Sequence, residues 1–138
     1  MRRFMKLWLA SLGISLVLLV TGCSTIRPIY NINENPLPSS IKKLSQEKIE
    51  NIFLTATNKR GWVFKRVGLG QFEGTLIKGK REARVTAKVT REFFSILYQS
   101  SAYMRESEGM IHRNYNRWIR NLQSDISSAL AIAASVIE

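Results

Sequence analysis

Several hydrophobic patterns follow one another along this chain, and each predicts a different element. Leu7 to Val20 is an apolar run interrupted only by Ser11, Gly13 and Ser15. Further on, Ile49, Ile52, Phe53 and Ala56 stand at i, i+3, i+4 and i+7, which is one stripe of a helix facing a core. Ser45 is placed to cap its free amides, and Leu44 and Ile49 have the spacing of a hydrophobic staple. Lys59 and Arg60 suit its carboxyl end, and Gly61 can take the left-handed conformation that stops it. A first helix is therefore expected over roughly 46–59.

From Trp62 the period changes to two. Trp62–Val67, Gln71–Lys78, Glu82–Thr90 and Phe93–Ser100 are separated by Gly68-Leu69-Gly70, by Gly79-Lys80 and by Arg91-Glu92, the punctuation of successive hairpins. A four-stranded antiparallel meander is expected. Its third strand is the clearest: Ala83, Val85, Ala87 and Val89 alternate with Glu82, Arg84, Thr86 and Lys88, one side for a core and one for water or a ligand. In the first and fourth strands Trp62 and Phe64 oppose Val63 and Val67, and Phe94, Ile96 and Tyr98 oppose Phe93 and Leu97. Either both faces are covered there, or one carries an aromatic patch.

A loop over Ser101–Gly109 leads to a second helix with His112 or Asn114 available as its cap. Tyr115, Trp118, Ile119, Leu122, Ile126, Ala129, Leu130 and Ala133 form its core-facing stripe. From Ala129 to Ile137 only Ser135 is polar, so the last turns want cover on every side. Burial within the domain is the expected cover, and a docked partner is the alternative. The predicted fold is α+β: helix, four-stranded antiparallel meander, helix, with both helices on one sheet face.

The amino-terminal run has a different meaning. It follows the basic stretch Met1-Arg2-Arg3-Phe4-Met5-Lys6 and falls short of the roughly 20 residues a membrane-spanning helix needs, so it reads as a secretory signal. It ends in Val20-Thr21-Gly22-Cys23, which resembles the lipobox of bacterial lipoprotein precursors. That resemblance implies a diacylglyceryl thioether on Cys23, cleavage before it, and acylation of the new amine. Cys23 is also the chain's only cysteine, so once lipidated no thiol is left for disulfides, metal sites or nucleophilic catalysis. Residues 1–22 are then signal peptide. Residues 23–43 are the lipidated cysteine and a tether containing Pro28, Pro36 and Pro38, all the prolines present. Fully extended, Ser24–Ser40 reaches on the order of 50 Å. Packing of Ile26, Ile29, Tyr30 and Ile32 against the domain would shorten that reach, and partial packing is expected. Residues 44–138 form the single domain. Ser24 is not the aspartate that the lipoprotein sorting rule associates with inner-membrane retention, which points to the outer membrane, facing the periplasm, or to the cell membrane where there is no outer one.

Removing residues 1–22, with Arg2, Arg3 and Lys6, takes the formal net charge from +11 to +8 and leaves 116 residues. The basic excess includes Arg113, Arg117 and Arg120 near the amino end of the second helix, and Arg84 and Lys88 on the third strand. Cations at the start of a helix oppose its dipole and repel one another, a cost an anionic partner would offset. These five residues are the candidate anion-binding surface, with a solvated face as the plainer reading. Phospholipid headgroups, peptidoglycan carboxylates or an acidic protein suit an exported protein, and nucleic acid does not.

Arg60-Gly61-Trp62, Ser95-Ile96-Leu97-Tyr98-Gln99-Ser100-Ser101 and Ile111-His112-Arg113-Asn114-Tyr115-Asn116-Arg117-Trp118-Ile119 together resemble a group of small bacterial lipoproteins over about residues 44–130. The resemblance implies a lipoprotein and its domain, and no activity. For catalysis the candidates are thin. His112 is the sole histidine and Asp125 the sole aspartate, and combining them with Ser100 or Ser101 lacks a nucleophile elbow. No cofactor or transition-metal site is expected, because ligands are too few. Gly68, Gly70 and Gly79 read as turn residues. The expectation is a non-enzymatic binding or scaffold lipoprotein in envelope assembly or maintenance. The alternative is a structural subunit docking through its apolar carboxyl-terminal helix, and an enzyme stands third.

Overall fold

The structure is a computed structural model that describes residues 24–137. The expected signal peptide, residues 1–22, and Cys23 lie outside the described residues. In chain order the elements are β1 (Ile26–Pro28), β2 (Ile32–Pro36), α1 (Gln46–Thr57), β3 (Val63–Gly68), β4 (Gln71–Lys78), β5 (Arg81–Val89), β6 (Phe93–Ala102), β7 (Met110–His112) and α2 (Arg113–Ser135).

The class is α+β, but the four-stranded meander needs correcting. The main sheet has five antiparallel strands in the order β2-β6-β5-β4-β3, and β1 pairs with β7 in a separate two-stranded ribbon. Of the three additional strands, β1 and β2 come from the proline-containing segment expected to act as a tether, and β7 from the end of the loop that precedes α2. Proline cannot donate to a ladder, so it is tolerated on edge strands. Pro28 and Pro36 each end a strand at such an edge. Ile32 faces Ile96 across the β2–β6 ladder and is buried. The anticipated packing of Ile29 and Tyr30 against the core also occurs. Between Ile32 and Asn35 the register slips, Glu34 takes φ 46°, and its amide donates to Ser95 Oγ at 2.9 Å.

Local signals set the helix ends. Ser45 Oγ accepts from the Lys48 amide at 3.2 Å, and Gly61 at φ 91° closes the 3-10 turn Asn58–Arg60 that follows α1. At α2 the cap is His112, whose Nδ1 accepts from the Asn114 amide at 3.1 Å.

Alternation along the strands puts Phe72, Leu76, Ala83, Val85, Ala87, Val89, Phe94 and Ile96 on one buried face. From α1, Phe53 packs on that face with its ring centroid 5.4 Å from Phe72 and 6.4 Å from Phe94. From α2, Tyr115 meets Tyr98 edge-on at 5.4 Å. Phe64 of β3 and Phe94 and Tyr98 of β6 thus point inward, whereas Phe93 lies beside Lys88: Phe64 also meets Phe53, and it lies over Gly74, where a Cβ would stand 2.5 Å from its ring. The opposite face of the sheet carries Lys65, Glu73, Ile77, Arg84, Lys88 and Leu97, all exposed.

A buried carboxylate joins α1 to the β3–β4 hairpin. Glu50 accepts from the Gly70 amide at 2.7 Å and from the Arg66 guanidinium. The carboxyl end of α2 departs from the expected all-round cover. Leu130 and Ala134 are buried, whereas Ile132 is 67% and Val136 79% exposed.

Candidate anion-binding surface

The five basic residues singled out from sequence do not form one surface. Arg84 and Lys88 lie on the open face of β5, where Arg84 Nε is 2.6 Å from Glu82 Oε1 and Lys88 Nζ sits 5.8 Å from the Phe93 ring centroid. Arg113, Arg117 and Arg120 are exposed on the opening turns of α2.

Other elements add cations beside the second group. A cleft of about 440 Å³ is lined by Arg27, Ile29, Tyr30, Arg113, Asn116 and Arg120. The Arg120 guanidinium lies over the Tyr30 ring, 4.5 Å from its centroid. The polar side of α2 fixes this wall: Asn116 Oδ1 accepts from the Tyr30 amide at 2.9 Å, and its Nδ2 donates to the Pro28 carbonyl at 2.8 Å. Gln123 continues the clasp, accepting from the Tyr30 hydroxyl at 2.6 Å and donating to Asn35 Oδ1 at 2.8 Å.

The electrostatics of His112 report the same concentration of charge. Burial first, then Arg81, Arg113, Arg105 and Arg117, hold its pKa below the ordinary histidine value. Among the described residues none of Arg27, Arg81, Arg105, Arg113, Arg117 and Arg120 lies within 4.0 Å of a carboxylate, whereas the ion pairs seen there belong to Lys42, Arg60, Arg66 and Arg84. Arg27, Arg81 and Arg105 are absent from the sequence reading because nothing in their linear spacing groups them. Only the β1–β7 pairing, the hairpin before β5 and the loop between β6 and β7 bring them to the start of α2.

The residues weighed for a triad are engaged separately. Asp125 binds Arg60, with Nε 2.8 Å from Oδ2 and Nη2 3.3 Å from Oδ1. It stands more than three helical turns beyond His112, roughly 20 Å along the axis. His112 Nδ1 is committed to the cap, Ser101 Oγ shares a 2.9 Å hydrogen bond with the Tyr98 hydroxyl, and Ser100 is exposed opposite Arg84. The Gly68–Gly70 turn holds no phosphate cradle geometry of its own, since the Gly70 amide is spent on Glu50. No group of three His, Cys, Asp or Glu side chains is arranged for a metal ion among the described residues.

Two shallow depressions on the open sheet face have mixed linings. One of about 320 Å³ includes Val67, Glu73, Lys88 and Leu97, and one of about 440 Å³ includes Val63, Lys65, Ile77 and Arg84. No described helix is long and apolar enough to cross a membrane. Comparison with family models, with curated proteins and with solved structures gives no match to this chain.

Proposed function

We propose that this chain is a lipid-anchored envelope protein, a non-enzymatic binding or scaffold module held through a thioether on Cys23. The observation that carries this reading is the sequence Val20-Thr21-Gly22-Cys23 at the end of an apolar run that follows a basic start. Thr25, two residues past the acylation point, already accepts a 2.7 Å hydrogen bond from the Arg113 amide. Ser24 supports outer-membrane sorting, with the domain facing the periplasm. The partner class is anionic envelope material.

Fractionation tests this. The protein is expected in the membrane fraction after a high-salt wash, and Cys23→Ser should abolish its fatty-acid labelling and its salt-resistant retention. Labelling that persists in Cys23→Ser, or a wild-type protein found in the soluble fraction, would refute the anchor.

A second reading, a structural subunit docking through α2, is favoured by one feature. Ile132 and Val136 stand one helical turn apart, both exposed. If it holds, Ile132→Ser with Val136→Ser removes a crosslinked partner while leaving the circular dichroism spectrum unchanged.

A further inference from the structure

We propose that the arginine-rich end of the molecule is its membrane-facing surface, where Arg27, Arg113, Arg117 and Arg120 bind the phosphates of anionic lipid headgroups. The proposal rests on the acylated Cys23 proposed above and adds the orientation and the lipid class.

Three observations converge on it. The first is reach. Thr25 is fixed to the first residue of α2 by the Arg113 amide, and Arg27 pairs with Ile111 in the β1–β7 ribbon. A residue spans at most about 3.6 Å, so a lipid carried two residues before Thr25 is attached close to this end of the molecule. An extended tether of tens of ångströms is thereby replaced by a leash of two residues. Along α2, Arg117 and Arg120 follow Arg113 by roughly 6 and 10 Å. The Debye length at physiological salt is about 8 Å, so charges held this near the lipid attachment point remain within reach of the surface potential.

The second is chemistry. The cations closest to the chain's exit are arginines, whose planar guanidinium forks match phosphate oxygens in pairs. Among the described residues they have no carboxylate partner within 4.0 Å, and the nearby loop acids Glu106 and Glu108 are exposed outside any such pair. Arg84, by contrast, is already matched by Glu82. Arginines on the opening turns of a helix also oppose its dipole, and a phosphate beside them offsets both terms.

The third is the company these arginines keep. Tyr103, 72% exposed, precedes Met104, which is buried and whose carbonyl accepts from the His112 amide at 2.9 Å. An exposed tyrosine at this end fits the headgroup layer, where amphipathic rings concentrate.

The test uses the mature protein purified from membranes and reconstituted on vesicles of phosphatidylcholine, with and without phosphatidylglycerol. Energy transfer from Trp62 and Trp118 to a dansyl-labelled headgroup reports how closely the domain lies on the surface. Transfer is expected to be higher on the anionic vesicles and to fall to the neutral-vesicle value in about 0.5 M salt, which shortens the Debye length to roughly 4 Å. In a variant carrying Arg113→Gln, Arg117→Gln and Arg120→Gln the excess is lost. The charge-matched variant with Lys42→Gln, Lys43→Gln and Lys48→Gln, at the other end of α2, keeps it. Circular dichroism checks that both variants are folded. Equal transfer on the two vesicle types, or an excess that survives in the arginine variant, overturns the proposal alone. Failure to float with neutral vesicles at high salt instead overturns the anchor, and the orientation argued from it.

Discussion

Glu50 stands in the interior with 2% of its surface exposed, accepting hydrogen bonds from the Gly70 amide and from Arg66. Removing one partner from a buried, hydrogen-bonded charge leaves the others unsatisfied, so Glu50→Ala is expected to cost about 3 kcal/mol in urea denaturation. Glu50→Gln, which keeps an oxygen for Gly70, should cost less. His112 gives a pH effect of definite sign. Its folded pKa is below the unfolded value, so the unfolded chain binds more protons as pH falls through about 6.5, and stability drops from there down to the folded pKa. Protonation also removes the Nδ1 acceptor that caps α2. His112→Asn preserves a capping acceptor without the titration. The urea midpoint of the wild type should therefore fall more between pH 7.5 and 5 than that of the variant, and equal falls would contradict this. At this scale the sequence was only partly readable. Ser45, Gly61 and His112 declared themselves by residue type beside a periodic run. Nothing in the linear pattern sets Glu50 or Gly74 apart: the first is distinguished only by its burial against Gly70 and Arg66, the second by the Phe64 ring that lies over it.

Among the elements, α1, the β3–β6 meander and α2 follow the periodicity of their apolar positions closely, since burial on one face is what makes such patterns stable. Strands β1 and β2 escaped because prolines argue against strands unless an edge is available, and an edge is a property of the assembled sheet; β7, three residues long, exists only as the partner of β1. Ile32 shows what β2 contributes. It is buried against Ile96 and the core, so Ile32→Ala is expected to lose about 3 kcal/mol by the same denaturation assay, where a solvated tether would lose almost nothing. The clasp formed by Asn116 and Gln123 was unreadable for a related reason. Each reads as a solvated polar position of α2, and each finds its partner more than eighty residues upstream. Asn116→Ala removes two hydrogen bonds from the Pro28–Tyr30 segment, so hydrogen exchange at the Tyr30 amide should accelerate by about ten-fold or more.

For the whole molecule, charge is distributed by topology more than by sequence. Three arginines spaced along α2 were evident at once, but Arg84 and Lys88 belong to the other side of the sheet, while Arg27, Arg81 and Arg105 join the helix through a ribbon and two turns. The result is one arginine-rich end sited where the chain leads back to Cys23, and an open sheet face with its own mixed lining. The proposed anchoring and orientation meet at that end, and the claim on which both depend is the acyl thioether on Cys23. Intact-mass analysis of the protein isolated from its own cells tests it most directly. The account predicts a polypeptide that begins at Cys23 and carries the added mass of diacylglyceryl and acyl groups. An unmodified chain retaining residues 1–22, recovered from the cytosol, would contradict it.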